Sequence, residues 1–501
     1  MVRRRTSPTR RLLGVLAALA ALSLLAMGCA DDDTTQDATT TTAASDDTDG
    51  DTGGDDVGTG GDDVGTGDDE AVDTEPRVVT YDGAPTDAPD EYDVVTVVEQ
   101  GDPDATNVLL LVPGTSAGAG YFLPVGEDLV DAAPDWQVWS VDRRENLLED
   151  HSVVNERRSG NADTRTTFDY YLGWIADDTI EDRFEPPTID EVAFAREWGM
   201  AVAVDDLRVV VDAAGEQGGS VVMAGHSLGG NITAAFATWD FDDMPGHELL
   251  DGIGLIDGGS SPIGDIDELE AQLAELESGS PFNDLLGVGL PWAPGVFNVL
   301  GATGVLLEPD EPSLAWEFPL LPDDLKPPVQ PTNEAQYGYG LGVDTSPDSL
   351  RLVHLSLGSL AEEGEPRGWV DDGAVPIERA ATMFAGIEDI DGTAWYHPLR
   401  LTLDGRTTNA GNAHPAQEAL GVRSIHGPDL PLPIYAFETG FGQGRVLAGA
   451  RLLAEQAGID ESELVLVERH DVTHTDPMAI DPDNPLVETI VPFLERISNG
   501  G

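Results

Sequence analysis

A five-residue turn motif constrains the fold more than any other part of the sequence. Residues 225–229 read Gly-His-Ser-Leu-Gly; they follow the apolar run 220–224 and precede an apolar stretch with helical spacing. This order predicts a strand, a sharp turn centred on Ser227, and a helix whose amino end points at the turn. Glycines two positions to either side of the serine let neighbouring backbone segments approach without a Cβ clash. The motif therefore predicts an α/β protein that holds the Ser227 hydroxyl on a strained turn.

Short apolar runs alternate with helical patterns from residue 76 onward. The predicted strands are 77–81, 92–99, 107–112, 136–141, 220–224, 251–256, 432–437 and 463–468. The predicted helices are 190–214, 228–238, 444–457 and 485–497. The runs 107–112 and 220–224 show no polar alternation, as is typical of strands that are covered on both faces. The pattern predicts a mostly parallel sheet flanked by helices.

A long stretch separates the sixth and seventh predicted strands, and it far exceeds what one crossover connection needs. We expect residues 261–430 to form an inserted cap, which divides the sheet-forming core into 76–260 and 431–501. Aromatic residues in this stretch and in a smaller insertion at 150–190 either line an apolar pocket or form the core of the insertions themselves. The sequence leaves both alternatives open.

The amino-terminal segment has the layout of an export signal. Residues 1–29 combine five arginines, an apolar run of sixteen residues and Cys29, which is the one cysteine of the chain. The segment resembles a bacterial lipoprotein signal, and that resemblance implies that Cys29 is lipidated and anchors the protein to a membrane of the cell envelope. An ordinary signal peptide of a secreted protein is the alternative. Residues 30–75 are rich in Asp, Gly and Thr, a composition that predicts a disordered acidic linker.

The chain is strongly acidic beyond this linker as well. Its formal net charge is −69, and residues 76–501 hold 77 acidic against 20 basic residues. Nucleic acid is therefore excluded as an expected partner, because its phosphates would be repelled. The sequence contains no closely spaced histidine cluster and no His-Glu-x-x-His motif, so we expect neither a metal nor a cofactor.

His474 is the best candidate for a base that reaches Ser227. It lies six residues past the predicted strand 463–468 and ahead of the last predicted helix. This is the position that a histidine takes when nucleophile, acid and base follow one another in the order Ser, acid, His. His470 is the competitor, but it lies close to the end of the same strand.

Two carboxylates compete for the position beside the histidine. Asp257 directly follows the predicted strand 251–256, and Glu438 directly follows the predicted strand 432–437. Either strand presents its last side chain at the carboxyl edge of a parallel sheet. We favour Asp257 and keep Glu438 as the alternative.

The loop after the predicted strand 107–112 is the second glycine-rich turn of interest. It begins Pro-Gly-Thr-Ser at residue 113. A backbone N–H in this loop and the N–H of the residue after the serine can together bind an oxyanion, and Thr115 and Leu228 are the two candidates.

Together these motifs resemble the α/β-hydrolase superfamily, specifically its capped bacterial esterase- and lipase-like members. The resemblance covers the sheet-forming parts of 76–260 and 430–498 and is absent over most of the insertion. It implies an acyl-enzyme mechanism on an ester substrate, either a small molecule or a lipid, with Ser227 as nucleophile and His474 as base. A peptidase, an acyltransferase, a perhydrolase or an inactive surface-binding member of the fold are the alternatives. Members of the fold that open epoxides or remove halogens carry Asp where this chain has Ser227.

Overall fold

The structure is a computed structural model that describes residues 75–242, 244–259, 266–284 and 289–500. The predicted signal segment, Cys29 and nearly all of the acidic linker lie outside these residues. Within them, no helix has both the length and the hydropathy that crossing a bilayer requires.

An eight-stranded sheet forms the centre of the molecule. Its strands are β1 (Arg77–Asp82), β2 (Val94–Gln100), β3 (Asn107–Val112), β4 (Trp136–Asp142), β5 (Val221–His226), β8 (Gly252–Ile256), β11 (Ile434–Thr439) and β12 (Leu464–Arg469). Four short strands form two separate hairpins: β6 (Asp240–Phe241) with β7 (Met244–Pro245), and β9 (Ser359–Leu360) with β10 (Trp369–Val370). The spatial order of the large sheet is β1-β2-β4-β3-β5-β8-β11-β12. Strand β2 pairs antiparallel with β1 and β4, and the other neighbours pair in parallel.

Fifteen α-helices lie in the described ranges. They are α1 (Leu123–Ala132), α2 (Ser152–Arg158), α3 (Thr164–Phe168), α4 (Trp174–Ala176), α5 (Met200–Gly215), α6 (Leu228–Ala237), α7 (Ile266–Leu276), α8 (Ala293–Leu307), α9 (Leu314–Glu317), α10 (Asn333–Leu341), α11 (Ile377–Ala385), α12 (Leu399–Gly405), α13 (Pro415–Leu420), α14 (Arg445–Ala457) and α15 (Pro485–Gly500). The prediction that a helix begins at residue 190 is wrong. A 3-10 turn covers Ala193–Glu197, and Gly199 is extended with φ −115° and ψ −162°, so the helix begins at Met200.

Each strand of the sheet sends alternate side chains to opposite faces. Val108 and Leu110 of β3 pack into a cluster with residues of α5, α6 and α14. Leu109 and Leu111 pack into a second cluster with residues of α1, α11 and α15. Because both of its faces are covered, β3 is apolar from Val108 to Val112, which explains the unbroken apolar run in the sequence. The predicted mostly parallel sheet flanked by helices is thus confirmed.

The residues between β8 and β11, which we call the insertion, pack together with the 150–199 region. Trp292 and Trp395 of the insertion are each 1% exposed and share one apolar cluster with Tyr171 and Phe184. The ring centroids of Phe184 and Trp292 are 5.0 Å apart in an edge-to-face arrangement. These four aromatic residues therefore form part of the core of the insertions, as one of the two alternatives predicted.

Candidate functional site

Ser227 occupies a strained turn between β5 and α6. Its backbone has φ 56° and ψ −123°, a combination that side-chain-bearing residues rarely adopt and that costs about 1–3 kcal/mol. The turn is fixed on both sides, since the Ser227 N–H donates to Ile256 O at 2.9 Å and the Gly230 N–H donates to Ser227 O at 2.9 Å. A Cβ on Gly225 would lie 2.0 Å from the carbonyl oxygen of Gly229, so the turn closes only with glycine at that position. The predicted strand, turn and helix around Ser227 are all present.

His474 and Asp257 are in hydrogen-bond contact. Asp257 follows β8 directly, and its Oδ2 lies 2.5 Å from His474 Nδ1. Both side chains are buried, since 3% of the His474 side chain and 0% of the Asp257 side chain are exposed. This contact favours the tautomer with its proton on Nδ1, so that Nε2 keeps a free lone pair. Within the described residues, Nε2 of His474 has no hydrogen-bond partner.

Asp257 is held in its ionised form by its neighbours. The Thr439 N–H donates to Asp257 Oδ1 at 2.9 Å, and the Thr439 hydroxyl donates to Oδ2. Burial opposes ionisation, but the hydrogen bond and charge of His474 and the two bonds from Thr439 outweigh it and lower the pKa of Asp257. A carboxylate that stays ionised at neutral pH can orient the imidazole and stabilise its protonated form.

A second histidine joins this pair to the serine turn. His226 precedes Ser227, and its ring centroid lies 4.4 Å from that of His474. Its Nε2 donates to the carbonyl oxygen of His474 at 2.9 Å. Burial, followed by the nearby charge of His474, lowers the pKa of His226 to about 3, so this ring stays neutral. It therefore serves to hold the loop that carries His474 against the serine turn.

The Ser227 hydroxyl itself makes no hydrogen bond to any described side chain, His474 included. Its residue is half-buried. In free enzymes the bond between nucleophile and base is often long and shortens only when substrate is bound.

Glu438, the alternative acid, has a different set of partners. It is completely buried; its Oε1 accepts from the Gly444 N–H, and its Oε2 accepts from the Leu447 N–H at 3.0 Å. Both donors lie at the amino end of α14, where a carboxylate is stabilised by free N–H groups and the helix dipole. The competing histidine, His470, is 57% exposed and lies 3.1 Å from Glu468. Within the described residues, neither Glu438 nor His470 makes a hydrogen bond to His474 or Asp257.

The loop after β3 lies directly beside Ser227. A Cβ on Gly114 would be 2.8 Å from Ser227 Cβ, so the loop backbone runs against the serine side chain. Thr115 is exposed, and Leu228 is the first residue of α6. Within the described part of the chain, the N–H groups of these two residues have no hydrogen-bond partner. They are therefore free to bind an oxygen atom that lies over Ser227.

Sequence reasoning missed the residue that fixes this loop. The guanidinium of Arg143, which follows β4, donates to Pro113 O at 2.7 Å, to Gly114 O at 3.0 Å and to Ala117 O at 3.3 Å. Its Nε donates to Glu145 Oε1 at 2.6 Å. Arg143 is 7% exposed. By binding three carbonyl groups of the loop, Arg143 fixes the conformation of the loop beside Ser227.

His397 of the insertion also contacts the loop. Its Nδ1 accepts from the Ser116 N–H at 3.3 Å, and its Nε2 contacts Thr402 Oγ1 at 3.1 Å. Burial, followed by the charge of Arg143, lowers the pKa of His397 well below its usual range. A neutral ring can accept the Ser116 hydrogen bond. Neither His397 nor Arg143 has a local sequence signal, because their partners lie 281 and about 30 positions away.

Comparisons with known proteins find structural neighbours only. No family model and no curated protein matches the chain. A thermophilic esterase from Thermogutta terrifontis is 15% identical with a TM-score of 0.36, over 84% of this chain and 99% of the esterase. An epoxide hydrolase from Vigna radiata is 13% identical with a TM-score of 0.39, over 85% of this chain and 98% of that one. A haloalkane dehalogenase from Bradyrhizobium elkani is 11% identical with a TM-score of 0.34, over 85% and 100% of the two chains.

The strand order and the serine turn of this chain define its fold. The described residues form a mostly parallel eight-stranded sheet with helices on both faces. Ser227 stands on a strained turn between a central strand and the following helix. By this architecture, the chain has the α/β-hydrolase fold.

Proposed function

We propose that this protein is a serine hydrolase that cleaves carboxylic esters through an acyl-enzyme intermediate. The observation that supports it most is the buried hydrogen bond between His474 and Asp257 next to the strained Ser227 turn. A buried ion pair by itself contributes little to the free energy of unfolding, because the cost of desolvation offsets the attraction. An imidazole with one nitrogen bound to a carboxylate and the other free is, in contrast, suited to proton transfer.

In the proposed mechanism, His474 Nε2 takes the proton from the Ser227 hydroxyl as its oxygen attacks the ester carbonyl carbon. The carbonyl oxygen becomes an oxyanion, which the N–H groups of Thr115 and Leu228 bind. Protonated His474, stabilised by Asp257, then gives its proton to the departing alcohol. Water attacks the acyl-enzyme by the same sequence and releases the acid.

The serine is a further argument within this fold. Epoxide hydrolases and haloalkane dehalogenases of the fold use Asp at the turn position, and this chain has Ser227 there. The two N–H groups available over the serine suit a carbonyl substrate. We therefore propose acyl transfer to water in preference to the reactions of those relatives.

Substrate and location complete the proposal. The insertion contacts the loop after β3, since the Ala394 N–H donates to Ser116 O at 2.9 Å. We propose that the insertion acts as a cap that selects apolar acyl or alcohol groups. We further propose that the protein is exported and held at the cell envelope by a lipid on Cys29, so that its substrate is an ester on the outer side of the membrane or in it.

Hydrolysis of nitrophenyl esters with short and medium acyl chains tests the activity. The Ser227→Ala variant should lose at least about three orders of magnitude in kcat/KM. Ser498→Ala, which removes an exposed hydroxyl near the carboxyl end, is the matched control and should keep the wild-type rate. Equal turnover by wild type and Ser227→Ala would overturn the proposal. Nitroanilides with the same acyl chains distinguish an esterase from a peptidase.

A further inference from the structure

Three side chains of types that bind metals converge in the interior, and none of them has a part in the mechanism proposed above. Glu149 and His151 follow β4, and Asp391 belongs to the insertion. His151 Nε2 lies 3.1 Å from Asp391 Oδ2 and 3.5 Å from Glu149 Oε2. The three atoms all lie within 4.8 Å of one another. The side chains are 1%, 3% and 0% exposed for Glu149, His151 and Asp391.

The remaining oxygen atoms of the two carboxylates are anchored by other groups. Glu149 Oε1 accepts from the Trp395 N–H at 2.7 Å. Asp391 Oδ1 accepts from the Thr393 N–H at 2.6 Å and from its hydroxyl at 2.8 Å. The ring N–H of Trp395 donates to Asp391 Oδ2 at 2.9 Å. These bonds leave one oxygen of each carboxylate directed at the imidazole.

One carboxylate oxygen of this cluster has no hydrogen-bond partner within the described residues. Glu149 Oε2 is buried and makes no hydrogen bond. An unsatisfied buried carboxylate oxygen costs several kcal/mol. Either a bound proton or a bound cation would relieve this cost.

The separations of the two carboxylate oxygens from the imidazole nitrogen fit a cation bound between them. Tetrahedral zinc with bonds of about 2.0–2.1 Å places neighbouring ligand atoms roughly 3.3 Å apart. The two measured separations from His151 Nε2, 3.1 Å and 3.5 Å, lie on either side of that value. A mixed set of one imidazole and two carboxylates is typical of zinc and its neighbours in the first transition row, whereas calcium takes oxygen ligands alone.

We propose that Glu149, His151 and Asp391 bind one divalent transition-metal ion, with zinc as the reference metal. The three protein ligands leave a fourth position for water. The ion joins the segment after β4 to the insertion. Its ligand Asp391 also accepts from the Gly120 N–H through its backbone oxygen at 3.1 Å, so the metal stabilises the part of the insertion that lies against the loop after β3.

Sequence spacing gives no sign of this site, because Asp391 lies 240 positions from His151. The proposal is independent of the hydrolase activity. A Ser227→Ala variant should bind the metal as the wild type does, so failure of one proposal leaves the other intact.

Titration of the chelator-treated, purified protein with Zn²⁺ against a chromophoric chelator tests the site. The wild type should take up one tight equivalent, and Asp391→Asn should weaken it at least about tenfold, because even loss of a group that merely orients a ligand costs 10–100-fold. Asp389→Asn is the matched control. Asp389 is an exposed carboxylate two positions before Asp391, so this variant removes the same charge from outside the cluster and should leave the zinc affinity unchanged.

A second variant and a second readout keep the test decisive. Asp391 also binds Thr393 and Trp395, so its loss can disturb folding. Glu149→Gln retains an oxygen for the Trp395 N–H, and its far-UV circular dichroism reports the fold. Co²⁺ should give the intense visible absorption of a tetrahedral site in the wild type and lose it in His151→Gln. No tight equivalent of zinc in the wild type, or equal affinity in wild type and folded Glu149→Gln, would overturn the proposal and assign a proton to the cluster.

Discussion

Replacing Asp257 by Asn, with Glu438→Gln as its counterpart, separates the two carboxylates by function. In Asp257→Asn the side-chain oxygen can still accept from Thr439, but the amide NH₂ then faces His474 Nδ1. The histidine is forced into the tautomer with its proton on Nε2, and it can no longer take the proton from Ser227. The variant thus keeps the shape of the site and loses the base.

The expected loss follows from the contact that is broken. The Asp257 carboxylate lies 2.5 Å from His474 Nδ1, with both side chains buried, so its charge acts on the imidazolium with little screening by water. An Asp-to-Asn change at this position of a serine triad lowers kcat by about 10⁴. We expect a fall of 10³–10⁴ in kcat, which corresponds to about 4–5.5 kcal/mol of transition-state stabilisation at 1.36 kcal/mol per factor of ten.

Glu438→Gln should behave in the opposite manner. It weakens the two backbone contacts at the start of α14 and should lower the free energy of unfolding by about 1–2 kcal/mol. Its kcat/KM should stay within roughly threefold of the wild type, because Glu438 makes no hydrogen bond to His474. The assay is ester turnover at pH 8 together with urea unfolding of each variant. A greater loss of kcat in Glu438→Gln than in Asp257→Asn would refute the reasoning.

Three further predictions concern the loop, the strained turn and the buried histidine. Arg143→Lys cannot bind three carbonyl groups at once and should lower kcat by roughly 10–100-fold at similar KM. Arg208→Lys, on the exposed face of α5, is the control and should leave steady-state kinetics unchanged. Equal kinetics in both variants would contradict the role of Arg143 in positioning the loop. Ser227→Gly should abolish turnover. In urea unfolding its free energy of unfolding should exceed that of Ser227→Ala by about 1–2 kcal/mol, because glycine relieves the backbone strain at φ 56°. A glycine variant less stable than Ser227→Ala would contradict that strain. The pKa of His226 is lowered to about 3, whereas in the unfolded chain it lies near 6.5. Its contribution to the free energy of unfolding should therefore be complete above pH 6.5 and be lost as pH falls towards 3, with roughly 2–3 kcal/mol lost at pH 4.5. His226→Gln should lose this part of the acid dependence, and an unchanged pH profile of its urea midpoint would contradict it.

The sheet could be predicted from the sequence because its strands are local features. Runs such as those of β3 and β5 are apolar throughout, and the structure shows why: successive side chains pack into two separate cores. All eight predicted strands lie within two residues of the observed bounds. The start of α5 could not be predicted in this way. Val192 and Trp198 have helical spacing with the residues that follow, yet they pack into the aromatic cluster of the insertions.

The residues of the candidate site also differ in how far the sequence alone predicts them. Ser227 carries its own signal, since the turn needs glycine at fixed positions. His474 and Asp257 could be proposed because each follows a recognisable strand, but the choice between Asp257 and Glu438 depends on which one reaches the ring across 217 or 36 positions. Arg143 and His397 act through backbone groups of a distant loop, and such contacts leave no pattern in the sequence.

The central claim is that His474 activates Ser227 as a nucleophile. The most direct test is the rate at which a fluorophosphonate probe modifies Ser227, with mass spectrometry of the peptide that carries the adduct. We predict one adduct, on Ser227, formed by the wild type and by His470→Ala at equal rates and at least about 100-fold more slowly by His474→Ala. An adduct on another residue, or equal rates in the wild type and His474→Ala, would contradict the account.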